Sequence, residues 1–305
     1  MAEPAQTRRL NWKSQASLSF LVFVAWTLSL ADAAAAEDEA ERQPSQFLRF
    51  VPTNASEGRV DTAIKTYRRP DGVSVALVAA VHVADADYYQ KLQARLKSFD
   101  AVLYEMVKPK DLALPRGART DSPVSALQIG IKNLLALEFQ LDAIDYSPTN
   151  FVHADMDVAT FQRQQEAKGE SILGLLIRAV LEEQNRIANT PNAPDGLQFL
   201  FALMSKDSAY KLKFLFAQQL ENMEAILSGV DRGNDGKGSV LLSGRNEVAM
   251  NVLAEQIRQG KRSLAIFYGA GHMPDFEKRL LKSGYKKSAE QWITAWDIRP
   301  KKPSK

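Results

Sequence analysis

Two stretches of the chain echo each other: Ser74 to His82 (SVALVAAVH) and Leu264 to His272 (LAIFYGAGH). Each is an apolar run with small residues at its end and a histidine just past it, and an aspartate, Asp85 or Asp275, follows three residues later. An apolar run without alternation reads as a strand buried on both faces, which requires a layer on either side of the sheet. Asp85 opens an amphipathic segment to about Phe99, with Tyr88, Tyr89, Leu92 and Leu96 on one face, and Ala101 to Tyr104 is apolar again and ends at Glu105. Strand, helix and strand in that order predict a parallel βαβ unit. The repeat makes the fold class α/β, or α+β: two related strand-helix-strand halves, a central mixed sheet and a large helical insertion. It also sets both histidines, with Glu105, at carboxyl ends of strands, where open α/β folds build their sites.

The rest of the chain fits around these units. Phe47 to Val51 and Ala63 to Tyr67 read as strands, and Arg69-Pro70-Asp71-Gly72 is a turn that makes a hairpin with Ser74 to Val81. Ser122-Pro123 opens a helix, with a hydroxyl for the cap and Pro in the first turn. Leu141 to Tyr146 and Asn150 to Met156 are short segments, and about 157–229 is the helical insertion, broken at Asn189 to Pro194. Its apolar stripes suit core packing first, and a lid, a dimer surface or a membrane-contacting face otherwise. Arg245 to Gln259 and Asp275 to Leu281 read as helices, Ser263 to Tyr268 and Gln291 to Ile298 as strands. The glycine-rich loop Asp231 to Gly238 lacks the spacing of a P-loop or an EF-hand.

Residues 1–36 read as a signal peptide. Arg8, Arg9 and Lys13 precede a charge-free run from Ser14 to Ala31, and Ala31 to Ala36 offers several A-x-A cleavage registers before Glu37. An uncleaved anchor, with membrane contact, is the competing reading, because the run sits at the lower edge of the ~20 residues that span a bilayer. Residues 37–305 then form one exported domain, periplasmic or secreted, with 36 basic against 34 acidic residues.

The chain has no cysteine, which excludes a disulfide scaffold, zinc fingers, thiol enzymes and iron-sulfur centres. The near-neutral balance and the lack of a basic stripe argue against a nucleic-acid partner. A metal here must sit on nitrogen and oxygen. Histidine is scarce, occurring only at 82, 153 and 272. His82, His272 and Glu105 make a two-histidine, one-carboxylate set with open positions, suited to zinc, manganese, cobalt or iron. His153, in a segment with Asp155, is a possible additional ligand or an orienting neighbour, and otherwise ties a loop to the sheet. Asp85 and Asp275 are expected to be helix N-caps.

Ala79-Ala80-Val81-His82, Leu103-Tyr104-Glu105, Arg245-Asn246 and Gly269-Ala270-Gly271-His272 resemble the TraB/GumN family, which includes the Tiki proteases, over roughly Phe47 to Ile298. The family is similar in fold to the erythromycin-esterase and ChaN-like proteins. The resemblance implies a metal-dependent hydrolase, peptidase-like, in which the GxxH-type histidines His82 and His272 bind a divalent metal ion. It makes Glu105 a ligand or general base and Arg245 a positive group able to hold a carboxylate or stabilise an oxyanion. Arg245 is alternatively an ion-pair partner of Glu105. One departure is Ala79, where the family has glycine; its methyl group is either tolerated at the strand tip or narrows the site. The substrate is a peptide or a small molecule, with ester hydrolysis as a variant. The alternative function is a non-catalytic envelope protein that binds a peptide, glycan precursor or signalling ligand in the same cleft.

Overall fold

The apolar runs form the middle of a sheet. The computed structural model describes residues 47–108, 135, 137–170, 205, 208–218 and 238–300. Within them the chain runs β1 (Leu48–Pro52), β2 (Gly58–Arg68), β3 (Ser74–Ala80), β4 (Val83–Ala84), α1 (Ala86–Leu96), β5 (Ala101–Tyr104), β6 (Glu138–Phe139), α2 (Gln140–Ala143), β7 (Phe151–His153) and α3 (Val158–Ala167). Residues 208–218 are helical. A π-helical turn (Val240–Gly244) then leads into α4 (Arg245–Arg258), β8 (Ser263–Gly269), a 3-10 turn (Ala270–His272), α5 (Met273–Lys282) and β9 (Lys286–Ile298).

Seven strands make one mixed sheet in the order β1-β2-β3-β8-β5-β7, with β9 also paired to β2. The hairpin of β2 and β3 closes at Gly72, whose φ of 85° lies in the left-handed region that the turn requires. β1 and β9 are antiparallel to β2, whereas β3, β8, β5 and β7 run parallel. Successive residues of the parallel strands enter opposite layers. Val78, Ala80, Val102 and Phe267 face α1 and the helical residues 208–218, through Tyr88, Leu92, Leu96, Leu212 and Phe216. Leu77, Ala79, Leu103, Ile266 and Tyr268 face α4 and α5, through Ala249, Leu253, Met273, Phe276 and Leu280. Each Val, Leu, Ile, Phe or Met among these, fully buried, contributes about 1.5–3 kcal/mol relative to exposure.

β3 and β5 run parallel with α1 between them in the chain, as expected, and β8 lies between the two strands in the sheet. Two expectations are corrected. The sequence echo matches Ala79 with Gly269, yet the ladder pairs Ala80 with Gly269 and Ala79 with Tyr268. The copies are therefore offset by one residue, which turns the Ala79 methyl into the α4 and α5 layer, fully buried, instead of against the strand-end site. Asp85 occupies the N-cap position of α1 but makes no capping bond. Its Oδ1 accepts from Lys213 Nζ at 2.6 Å and its Oδ2 from the Asp297 N–H at 2.7 Å. A charge-assisted bond to lysine outweighs a first-turn amide, so Asp85 fastens the helical residues 208–218 and β9 to the sheet.

The helix expected from Ser122-Pro123, the signal segment 1–36 and most of the insertion between 171 and 229 lie outside the described residues. Among the described residues no helix is long and apolar enough to cross a membrane.

Candidate active site

β3, β8 and β5 end side by side, and the residues just past them bring His82, His272 and Glu105 together. Gly269, the last residue of the central strand, marks the meeting point. A Cβ built there lies 3.3 Å from Glu105 Oε2, 3.5 Å from His82 Nε2 and 3.9 Å from His272 Cδ2. The backbone at Gly269, φ −54° and ψ 143°, is open to other residues. Glycine is therefore demanded by close approach and not by backbone conformation. Its N–H donates to Glu105 Oε2 at 2.7 Å.

Arg245, the first residue of α4, lies between two carboxylates. Its Nη2 donates to Glu105 Oε1 at 2.8 Å, while Nε and Nη2 grip Asp155 Oδ1 and Oδ2 at 2.9 and 2.5 Å. All three side chains are buried, with Asp155 at 0% exposure. Burial pushes the Glu105 carboxyl up, but Arg245 and then His272 outweigh it and hold it well below the usual carboxylate range. Burial likewise lowers the Arg245 pKa, and Asp155 and Glu105 more than restore it, so that it is raised overall. Asp155 also accepts the Met156 N–H at 2.7 Å. It thus serves Arg245 with both oxygens.

Asn246, next along α4, fixes His272. Its Nδ2 donates to the His272 carbonyl at 3.1 Å and to Asp275 Oδ2 at 2.8 Å, both of which only accept. The amide orientation is thereby set, so Oδ1, 2.6 Å from His272 Nδ1, accepts the Nδ1 proton. In the neutral ring the lone pair then lies on Nε2, 3.5 Å from Glu105 Oε1, and in the protonated ring the same nitrogen faces Glu105 as an ion pair. Asp275 is held in turn by Arg279 Nε at 2.6 Å, and Arg279 Nη2 reaches the Ser243 carbonyl. The expected N-cap role of Asp275 is corrected: it lies inside the first turn of α5, behind Pro274, and orients Asn246.

His82 is half-buried, and burial, against the pull of Glu105, pushes its pKa below the usual imidazole value, with Arg245 and His272 adding to the effect. His153 is not brought to this point. Its Nε2 donates to the Met106 carbonyl at 2.6 Å and its ring packs on Tyr104, which ties β7 to the segment after Glu105.

The donor set at Gly269 fits a divalent cation in its chemistry: His272 Nε2 faces a carboxylate, an arrangement that calls for positive charge there, which a proton or a bound cation supplies. The side chains as they stand are not arranged to coordinate, for among the described residues no group of three or more His, Asp or Glu could hold a metal ion. Glu105 gives one oxygen to Arg245 and the other to Gly269 N–H. Its remaining lone pairs are what a metal would use.

The sequence reading gave no role to Gln140, the first residue of α2, whose N–H donates to the His82 carbonyl at 3.0 Å. No local signal marks it: it is a single carboxamide brought to His82 by the pairing of β4 with β6. Asn246 stood in the motif, but its bond to His272 depends on α4 packing beside the turn that follows β8. Comparison of the chain with family models, with curated proteins and with solved structures finds no match.

Proposed function

We propose that the chain is an exported, metal-dependent hydrolase of the TraB/GumN kind, acting on peptides, with its site at the carboxyl ends of β3, β8 and β5. The observation that carries this reading is the convergence of His82, Glu105 and His272 on Gly269. His82 and His272 would hold a divalent ion through Nε2, with Glu105 as the carboxylate ligand. A metal so held supplies a water acidic enough to attack at neutral pH. Arg245 keeps Glu105 ionised, so Glu105 acts as charge and ligand; a carboxyl held this far down is a weak proton acceptor. Asn246 keeps the Nε2 lone pair of His272 turned inward. The same reading takes β3 with α1 and β8 with α5 as related halves, about 157–229 as a helical insertion, and residues 1–36 as the export signal.

The test is bound metal and peptide turnover of the purified protein, with and without chelator. Metal at about one ion per chain, and turnover lost on chelation and in both His82→Ala and His272→Ala, is expected. Turnover that survives the chelator and both substitutions refutes the reading. A panel of esters run beside the peptides assigns the scissile bond.

A second reading, a non-catalytic envelope protein that binds a peptide, glycan precursor or signalling ligand in the same cleft, draws on the same engagement of Glu105 by Arg245 and Gly269 N–H, which leaves it poorly suited to proton transfer. Stoichiometric ligand capture without turnover supports it, and multiple turnovers exclude it.

A further inference from the structure

Asn246 accounts for the orientation of His272, whereas no side chain in its own segment accounts for that of His82. His82 Nε2 lies 3.5 Å from the Cβ position of Gly269 and so belongs to the site. The other ring nitrogen, Nδ1, has to be settled by a neighbour, and the buried side chain whose backbone is bonded to His82 is that of Gln140. Gln140 is 4% exposed, and its backbone N–H is bonded to the His82 carbonyl at 3.0 Å. Its Nε2 donates to the Tyr146 hydroxyl at 3.1 Å, which turns Oε1 the other way. That oxygen is buried and makes no hydrogen bond within normal geometry, an expensive condition for an acceptor.

We propose that Gln140 is the positioning residue of His82: its Oε1 accepts the His82 Nδ1 proton as Asn246 Oδ1 accepts that of His272. Both histidines are then held in the same tautomer by buried carboxamides, one from α2 and one from α4, with two Nε2 lone pairs aimed at Gly269. The proton of a neutral imidazole goes to whichever nitrogen has a fixed acceptor, so this pair of brackets prepares both rings for a shared electrophile before it arrives. The inference rests on the proposed reading that the two Nε2 atoms face a common ligand. The opposite arrangement is chemically complete as well. With the carboxamide reversed, Tyr146 donates to Oε1, Nε2 of Gln140 donates to His82 Nδ1, and the ring proton moves to His82 Nε2, where it blocks ligation.

The two arrangements differ in one proton, which NMR reads directly. The full-length chain, metal-free and labelled with 15N-histidine, has only three imidazoles to resolve. Spectra at about pH 8, above the usual imidazole pKa, give the tautomer of each ring. His82→Ala and His153→Gln assign the signals, and His153 is the internal contrast, since its Nε2 donates to a carbonyl. The expected pattern is Nδ1–H for His82 and His272 and Nε2–H for His153. Gln140→Leu should release His82 from its tautomer and leave His272 unchanged, whereas Gln140→Glu, which keeps an acceptor, should restore it. Zinc titration should show about 10–100-fold weaker binding for Gln140→Leu. An Nε2–H proton on His82 in the wild-type protein overturns the inference, as does a His82 signal indifferent to Gln140→Leu. The wild-type spectrum decides even if the variant does not fold. Because the tautomers are read without metal, a protein that fails to bind metal refutes the proposed function and leaves the bracket to be judged on its own.

Discussion

Replacing Arg245 with methionine keeps most of the side-chain volume and removes the charge on which the site depends. Arg245 compensates two buried carboxylates at once, Glu105 and Asp155. Removing one partner of a buried pair typically costs about 3–5 kcal/mol, because a charge is left uncompensated. With two carboxylates stranded, the upper end, about 5 kcal/mol at pH 7, is expected here. That is a large share of the ~5–15 kcal/mol that holds a typical domain together.

The pH dependence makes the prediction specific. In the wild-type protein the folded-state pKa of Glu105 lies below its unfolded value, so its contribution is present above the ordinary glutamate pKa and is lost as pH falls through the folded one. Burial is the largest influence on Glu105 and acts upward, with Arg245 next and opposing. Without Arg245 the folded pKa rises above the unfolded one, the folded state binds the proton first, and stability increases as pH falls from 7. Glu105, changing in this way, contributes up to about 1.4 kcal/mol per pH unit. His82, which Arg245 also holds down, moves in the same direction. The gap between wild type and Arg245→Met should therefore narrow by about 2–3 kcal/mol between pH 7 and pH 5. Urea unfolding in chelator, followed through the buried Trp296, measures the gap by linear extrapolation. Arg245→Met with Glu105→Gln should recover part of the loss and flatten the slope. A loss under about 1 kcal/mol at pH 7, or a gap that widens on acidification, refutes the account of Arg245 as the compensating charge.

Other substitutions separate approach, orientation and bystander roles. Gly269→Ala should leave stability within about 1 kcal/mol of wild type, since the backbone there suits any residue, yet weaken metal affinity at least tenfold by crowding Glu105 and His82, and Gly269→Val should abolish it. Calorimetric metal titration beside urea unfolding checks both. His153→Gln should cost about 1 kcal/mol in the same unfolding assay and leave metal affinity unchanged within about twofold, because its Nε2 is already committed to Met106. Asp275→Leu should weaken metal binding about 10–100-fold by freeing the Asn246 carboxamide, whereas an intact affinity would make Asp275 purely structural. The metal-free protein should lose stability as pH falls below about 6.5, because a histidine with a lowered folded pKa is protonated first in the unfolded chain; His82→Gln should remove about 1.4 kcal/mol per unit of that slope.

What could be read from the sequence follows from which forces are local. A strand buried on both faces must be apolar at every position, so β3, β5 and β8 stood out, as did the face of α1 with Tyr88, Leu92 and Leu96. The histidines were legible because each follows such a strand. The sheet order was not, since nothing in Ala101 to Tyr104 says that a strand from the far end of the chain will pair ahead of it. Asp85 and Asp275 show the limit in miniature. Capping is a rule about the next three residues, and it lost to Lys213 in one case and to Asn246 and Arg279 in the other. Asp155 stands close to His153 in sequence, but its partner is Arg245, supplied by a helix some 90 positions later.

The site is held from both sides of the sheet, which has a consequence for binding. α4 supplies Arg245 to Glu105 and Asn246 to His272, and α5 locks Asn246 through Asp275, so two of the three groups are tied to one layer. His82 is tied to the other layer, through Gln140 of α2. The strands join the layers, and Gly269, at the end of the central one, is where they come closest to a common ligand. A ligand that bonds His82 and His272 together therefore links the two layers directly. Whatever binds there should raise the global unfolding free energy by the linkage amount, about 2.7 kcal/mol at a hundred times its dissociation constant. A ligand held by the Arg245 and Asp275 layer alone raises it by the same law, but its affinity would not respond to Gln140→Leu, so the coupling between Gln140 and ligand affinity tells the two modes apart.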